Sequence, residues 1–166
     1  MNKKGFTLIE LLATLIILSI VVTITVVGVT GSFNKAKEKS EEVFVGTIKD
    51  AMDVYLASDA KKLSFSAKCS QTLNKAHKSG VNVYKVNTTF DKVINSSYKP
   101  ITQKELVNPR NKEQACSTAS SIDISIYRDE DFVYYYKINK SEFNCLKNTS
   151  GEYDSVISNL PEGFVC

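Results

Sequence analysis

The chain has one histidine, His77, and none of its four cysteines, Cys69, Cys116, Cys145 and Cys166, forms a C-x-x-C pair. His77 lies eight residues from Cys69, so the close ligand spacing of a zinc site is missing and no metal or other cofactor is expected. The formal net charge of +3 is too near neutral for a strong electrostatic binder of nucleic acid. Asp129, Glu130 and Asp131 lack the ligand spacing of a calcium loop and read as a polar turn. There is no internal repeat and no low-complexity tract, and no catalytic constellation stands out; the expectation is a protein that is not an enzyme. Charge is also missing in one place that matters. Between Phe6 and Ser32 the only charged residue is Glu10.

The segment around it, Phe6 to Val29, is mostly Leu, Ile, Val and Phe. As a helix it would extend about 36 Å, enough to cross a hydrocarbon core of about 30 Å. A cleaved secretory signal has a shorter apolar region and a small-residue cleavage site, and no A-x-A follows here. A plain single-span anchor fits the length but leaves Glu10 unexplained. A carboxylate in lipid is costly, less so near the end of a span, and usually has a partner. Gly5 separates the basic leader MNKK from the apolar run. A cut after Gly5 would make Phe6 a new amino terminus. Its ammonium would lie about one turn from Glu10 in the same helix. Between staggered copies, one subunit's ammonium could meet another's Glu10, and away from water such a pair enforces register because any mismatch leaves a charge unpaired.

The stretch KKGFTLIELL resembles the prepilin cleavage and methylation motif of type IV pilins and their relatives. The resemblance covers about the first 60 residues. It implies a membrane-embedded peptidase that cuts after Gly5 and N-methylates Phe6. It implies that Thr7, Leu8 and Ile9 belong to the recognised segment, and that Glu10 is the buried carboxylate that brings each subunit into register during assembly. It also places the leader in the cytoplasm and the bulk of the chain outside, which the lysines on both flanks of the span (Lys3 and Lys4; Lys35, Lys37 and Lys39) do not decide. Many relatives carry a proline near position 27 where this chain has Val27. Gly28 and Gly31 follow, and glycine is poor enough in a helix interior to supply a softer hinge; the alternative is that they only mark the membrane exit.

Beyond Gly31 the helix is expected to continue. Phe33, Phe44, Ile48, Ala51 and Tyr55 fall on one arc at 100° per residue, with Lys37, Glu41, Glu42, Lys49 and Asp53 on other faces. The organisation expected is a leader at residues 1–5, a long helix at 6–58 (6–29 transmembrane and later filament core, 32–58 amphipathic) and a globular head at 59–166. Within the head, residues 69–78 suggest a short helix and VNVYKV (81–86) a strand. KELVNP (104–109) suggests an edge strand or a helical turn. Ile122, Ile124 and Ile126 alternate with polar neighbours, and Phe132, Tyr134, Tyr136 and Ile138 alternate after the 129–131 turn; this is an antiparallel hairpin whose isoleucine face should lie on the helix stripe. Asn148–Gly151 should turn, Tyr153–Ile157 should form a short strand, and Pro161–Gly163 should turn again. The fold class is α+β: a long protruding N-terminal helix with a small antiparallel sheet, stabilised by disulfides. An exported chain with an even cysteine count favours two bridges, and four cysteines allow three connectivities. A bridge at Cys166 would tie down the tail; the expected pairs are Cys145–Cys166 and Cys69–Cys116.

These readings point to a structural subunit of a type IV pilus-like filament. It would wait as a single-pass precursor in the inner (cytoplasmic) membrane and end in a surface filament. Its partners would be membrane lipid before assembly, a prepilin peptidase/methyltransferase, an assembly platform with an ATPase, and other pilins in a helical homo- or hetero-polymer. Two alternatives stand beside it: a pseudopilin of a type II secretion or competence (DNA-uptake) system, and a membrane-anchored extracellular binding module that never polymerises. DNA is a weakly supported partner. Lys61, Lys62, Lys68, Lys75, Lys78 and Lys85 could touch phosphates and FVYYYK (132–137) could stack on bases, but a solvated surface and a strand are the simpler readings.

Overall fold

The computed structural model describes residues 7–69, 82–146, 156–161, 164 and 166, with the side chains of 26–28 left out. The first element is one helix, α1, Leu8–Ser58. The chain divides into two compact units, residues 1–40 and Glu41–Cys166.

In the first unit the helix is apolar on all sides from Leu11 to Thr25, and the hydroxyls there are satisfied internally. Thr14 Oγ1 donates to the Leu11 carbonyl (2.8 Å), Ser19 Oγ to Ile16 (2.7 Å) and Thr23 Oγ1 to Ser19 (2.7 Å). Such back-bonding leaves no unsatisfied hydroxyl proton facing an apolar environment. The backbone stays helical through Gly28 and Gly31, and a Cβ added at Gly31 would meet nothing within 4 Å.

The second unit is built on the last part of α1. Phe44, Ile48, Ala51, Met52, Tyr55 and Leu56 are buried there, at the three- and four-residue spacing of one helix face. Phe33, expected on this stripe, is 62 % exposed: the buried face begins at Phe44, and the arc drawn at 100° per residue ran past it. The main sheet has the order β1 (Ala67–Lys68), β2 (Tyr84–Thr89), β5 (Asp123–Arg128), β6 (Tyr134–Asn139), β7 (Val156–Ser158), every pair antiparallel. A separate ribbon pairs β3 (Val107–Asn108) with β4 (Asn111–Ala115). Ile122, Ile124, Ile126, Tyr136, Ile138 and Ile157 share one core with the helix stripe, joined by Phe90, Ile101, Leu106 and Phe143. The isoleucine alternation therefore packs where its period of two places it. Burial in this core, and then Asp53 and Asp50 nearby, push the Tyr136 phenol well above its ordinary value.

Several local expectations shift. The first long strand begins at Tyr84, not at residue 81, and runs to Thr89. KELVNP holds both of its alternatives: a single 3-10 turn at Gln103–Glu105, then β3. The 129–131 turn is not simply solvated, because Asp129 is buried. Its carboxylate accepts the Val133 N–H (2.8 Å) and the Tyr135 hydroxyl (3.3 Å). This tight turn puts Phe132 at φ 60°, so Phe132 belongs to the turn and not to the inward face of β6. It is exposed, with the Arg128 guanidinium 5.0 Å from its ring. Of the expected short helix at 69–78 only Cys69 is described, and the turn at 148–151 lies outside the described residues. The last described strand is Val156–Ser158, and the Phe164 N–H donates to the Pro161 carbonyl (3.1 Å); residues 162 and 163 of the expected Pro161–Gly163 turn lie outside the described residues.

The disulfides are Cys69–Cys166 and Cys116–Cys145, with Cα–Cα distances of 5.1 and 4.9 Å, so the expected pairs Cys69–Cys116 and Cys145–Cys166 are wrong. Strand order explains the difference. β7 and β1 lie at opposite edges of the sheet. After β7 the chain returns across the outer face: Asn159 Oδ1 accepts the Tyr136 N–H (2.7 Å), and Phe164 packs on Tyr127 and Tyr135. That path delivers Cys166 to Cys69, just after β1. Cys116 and Cys145 are brought together by a different stitch, in which Ser117 Oγ donates to the Glu142 carbonyl (2.6 Å) and accepts the Asn144 N–H (3.1 Å).

The end of α1 is tied to a distant loop by one carboxylate. Asp59 accepts the Ser97 N–H (2.8 Å), the Ser97 hydroxyl (2.9 Å) and Lys62 Nζ. Lys62 and the Ser97 N–H hold its carboxyl far below the ordinary carboxylate range. A carboxylate depressed on folding stabilises the native state above its unfolded pKa, and that stability is lost as pH falls through the folded value. Asp59→Asn is therefore expected to lower the melting temperature by several degrees at neutral pH. It should also flatten the loss of stability that the parent chain shows below about pH 4. Thermal unfolding of both proteins across acid pH checks this; identical curves would contradict it.

Candidate assembly and processing site

The motif residues that the structure describes are Thr7, Leu8, Ile9 and Glu10. Thr7 precedes the first helical residue and Glu10 closes the first turn. Glu10 Oε2 accepts the Thr7 N–H (2.9 Å) and the Thr7 hydroxyl (2.8 Å). In return the Glu10 N–H reaches Thr7 Oγ1 at 3.4 Å and the Thr7 carbonyl at 3.1 Å. This is a reciprocal capping box, in which side chains at the first and fourth positions satisfy each other's orphan backbone donors. The Thr-x-x-Glu spacing before an apolar run is the sequence signal for it, and the resemblance-based reading passed over it while seeking a partner for Glu10 at the Phe6 nitrogen. Gly5 and Phe6, the expected cleavage and methylation positions, lie outside the described residues.

Leu8 and Ile9 are 82 % and 76 % exposed, and every large apolar side chain from there to Ile24 is more than half exposed. Fully burying one such side chain is worth about 1.5–3 kcal/mol, so the segment requires lipid or other helices around it. It is long and apolar enough to cross a membrane.

Other candidates are absorbed by structure. Of the FVYYYK aromatics, Tyr135 and Tyr136 are buried in β6, Tyr134 is half-buried, and Phe132 is exposed beside the Arg128 guanidinium. Glu130 accepts the Asn82 side-chain amide, and Asp129 is engaged within its own turn. Lys62 pairs with Asp59, and Lys85 lies 5.7 Å from the Tyr127 ring centre. His77, Lys75 and Lys78 lie outside the described residues.

Residues 1–26 match the prokaryotic N-terminal methylation motif, the signal motif of type IV prepilins. No curated protein and no solved structure matches the chain. Together with the long N-terminal helix, the antiparallel sheet and two disulfides, the motif gives a pilin-like α+β chain. It supports a type IV pilin-like or pseudopilin precursor, a structural protein processed by prepilin peptidase. The apolar helix fits a membrane-anchored precursor.

Proposed function

We propose that this chain is a structural subunit of a type IV pilus-like filament. It waits in the cytoplasmic membrane with residues 6–29 as its span. A prepilin peptidase cuts after Gly5 and N-methylates Phe6. Residues 6–29 then pack into the filament core, residues 32–58 carry the amphipathic half of the helix, and residues 59–166 form the surface-facing head. Glu10 pairs with the Phe6 ammonium of an adjoining copy and sets the register. One observation carries this reading: a helix of 51 residues begins within the processing motif, and every large apolar side chain from Leu8 to Ile24 is more than half exposed. Drawing that segment out of lipid is costly, so assembly needs an ATP-driven platform that this chain does not supply.

Two experiments test the reading. Gly5→Leu is expected to leave full-length precursor in the membrane, seen as loss of the mature band on a blot; normal processing would contradict the cleavage site. Fibres sheared from the cell surface are expected to contain this chain by immunogold electron microscopy. Polymer confined to the cell envelope would move the chain to the pseudopilin reading, and a chain found only as membrane-anchored monomer would overturn polymerisation.

A further inference from the structure

We propose that the head carries a binding site for an acidic sugar, in which the Arg128 guanidinium takes the carboxylate and the Phe132 ring takes the C–H face of the pyranose. The inference concerns the head alone and does not depend on how the chain assembles.

The site follows from the register of the sheet. Lys68 faces Tyr84 across β1 and β2, Tyr84 faces Arg128 across β2 and β5, and Arg128 faces Tyr134 across β5 and β6. Residues directly opposite each other in antiparallel strands project from the same face, so these four side chains form one row across the sheet. Two residues along, Val86, Ile126 and Tyr136 form the next row on that face and belong to the core shared with α1. The row from Lys68 to Tyr134 is therefore where this face of the sheet changes from apolar to polar. Two more rings close on its cation. The Arg128 Cζ lies 4.9 Å from the centre of Phe65, 5.5 Å from Tyr84 and 5.0 Å from Phe132. Phe65 in turn lies 6.0 Å from the Tyr134 ring.

This cation has rings around it and no counter-ion. Arg128 is half-buried; its Nε is shut away from solvent without an acceptor, and its side chain makes no hydrogen bond or ion pair among the described residues. A donor on a charged group is costly to bury unmet. The acids next to it in sequence are engaged elsewhere: Asp129 accepts from Val133 and Tyr135, and Glu130 from Asn82. A guanidinium is built to take a carboxylate through two parallel N–H bonds; with Nε closed off, that contact is made end-on, at the two terminal nitrogens. The Tyr84 and Tyr134 hydroxyls and Lys68 Nζ also bond nothing among the described residues.

Phe132 is the second independent feature. It is 66 % exposed and sits at φ 60°, a region that a bulky residue rarely adopts and that glycine enters freely. Strain of this kind persists where the residue is used. A pyranose ring matches what the site offers: an apolar C–H face for the negative face of the Phe132 ring, hydroxyls for the two phenols and, in a uronic acid, a carboxylate for Arg128. A nucleic-acid strand needs a longer track of cations than Lys68 and Arg128 supply, and the exposed Glu130 and Asp131 flank the turn.

The test uses the full chain purified in detergent, titrated calorimetrically with trigalacturonate, with the neutral sugar maltotriose, with a hexaglutamate peptide and with hexathymidylate. The parent chain is expected to bind trigalacturonate at least about tenfold more tightly than maltotriose, the order of one charge-assisted hydrogen bond. Arg128→Gln is expected to erase that preference. Phe132→Gly suits the backbone at φ 60° and should hold or raise the melting temperature, yet it is expected to weaken trigalacturonate binding about fivefold through the lost ring face. If Arg128→Gln proves unfolded, Phe132→Gly decides alone. No binding of trigalacturonate by the folded parent chain overturns the proposal, and so does binding that Phe132→Gly keeps at parent strength, which places the sugar elsewhere. Hexaglutamate or hexathymidylate bound as tightly as trigalacturonate also overturns it, because the site would then take a peptide or a nucleic acid. None of these results bears on polymer formation, so a failure here leaves the filament reading standing.

Discussion

Glu10→Leu is expected to be cut after Gly5 like the parent chain, yet to enter polymer at least about a hundredfold less, the order of effect for orphaning one buried charge. Leucine removes no apolar contact and suits the membrane better than glutamate, so insertion and precursor level should hold or improve. What it removes is the acceptor for the neighbouring Phe6 ammonium, which would then be buried unpaired. It also removes the capping-box acceptor, since Glu10 Oε2 takes both Thr7 donors. The helix start should fray, a smaller effect confined to the first turn. Blots of membrane and sheared fractions give the mature-to-precursor ratio and the polymer yield together. Normal yield from Glu10→Leu would reject the register role; an uncut precursor would show that Glu10 is read by the peptidase instead.

The second large effect concerns the head. Cys116 and Cys145 are 29 residues apart and Cys69 and Cys166 are 97 apart. In the chain-entropy account, loops of these sizes stabilise by about 3.5 and about 4.7 kcal/mol respectively. A domain's whole stability is about 5–15 kcal/mol, so replacing all four cysteines by serine should leave the head largely unfolded at 37 °C. The single pairs should differ in where they act. Cys69→Ser with Cys166→Ser is expected to free residues 159–166 and expose the outer face of Tyr127 and Tyr135, where Phe164 now packs. Cys116→Ser with Cys145→Ser should loosen the stitch that Ser117 makes to Glu142 and Asn144. Thermal unfolding with hydrogen exchange reads both. Peptide mapping of unreduced protein should recover Cys69–Cys166 and Cys116–Cys145, and any other pairing would contradict the strand path described above.

What the sequence made legible was local. The apolar run announces a helix because nearly every residue from Phe6 to Val29 is of one kind, and a helix is the simplest way to satisfy its backbone in lipid. The β5–β6 hairpin is readable because alternation within a few residues determines which side chains share a face. Met52 and Leu56 escaped because they widen the helix stripe beyond the single arc that was drawn. Phe33 was misplaced because periodicity shows which face a residue occupies and not where the packing along that face stops. The disulfide pairing was misread because the need to tie down the tail at Cys166 does not say which cysteine receives it, whereas the order β1-β2-β5-β6-β7 makes the ends of the head's sequence neighbours through the returning tail. At the site, Thr7 to Glu10 carried a motif and a capping signal in the same four residues, and the more specific resemblance obscured the simpler hydrogen-bond argument.

The central claim is that a new amino terminus is made at Phe6 and then used for assembly. Mass spectrometry of the N-terminal peptide, taken from the protein in sheared filaments, tests it most directly. The account predicts a peptide that begins at Phe6 and carries one added methyl group on its nitrogen. A peptide that begins at Met1 or Asn2 would contradict it.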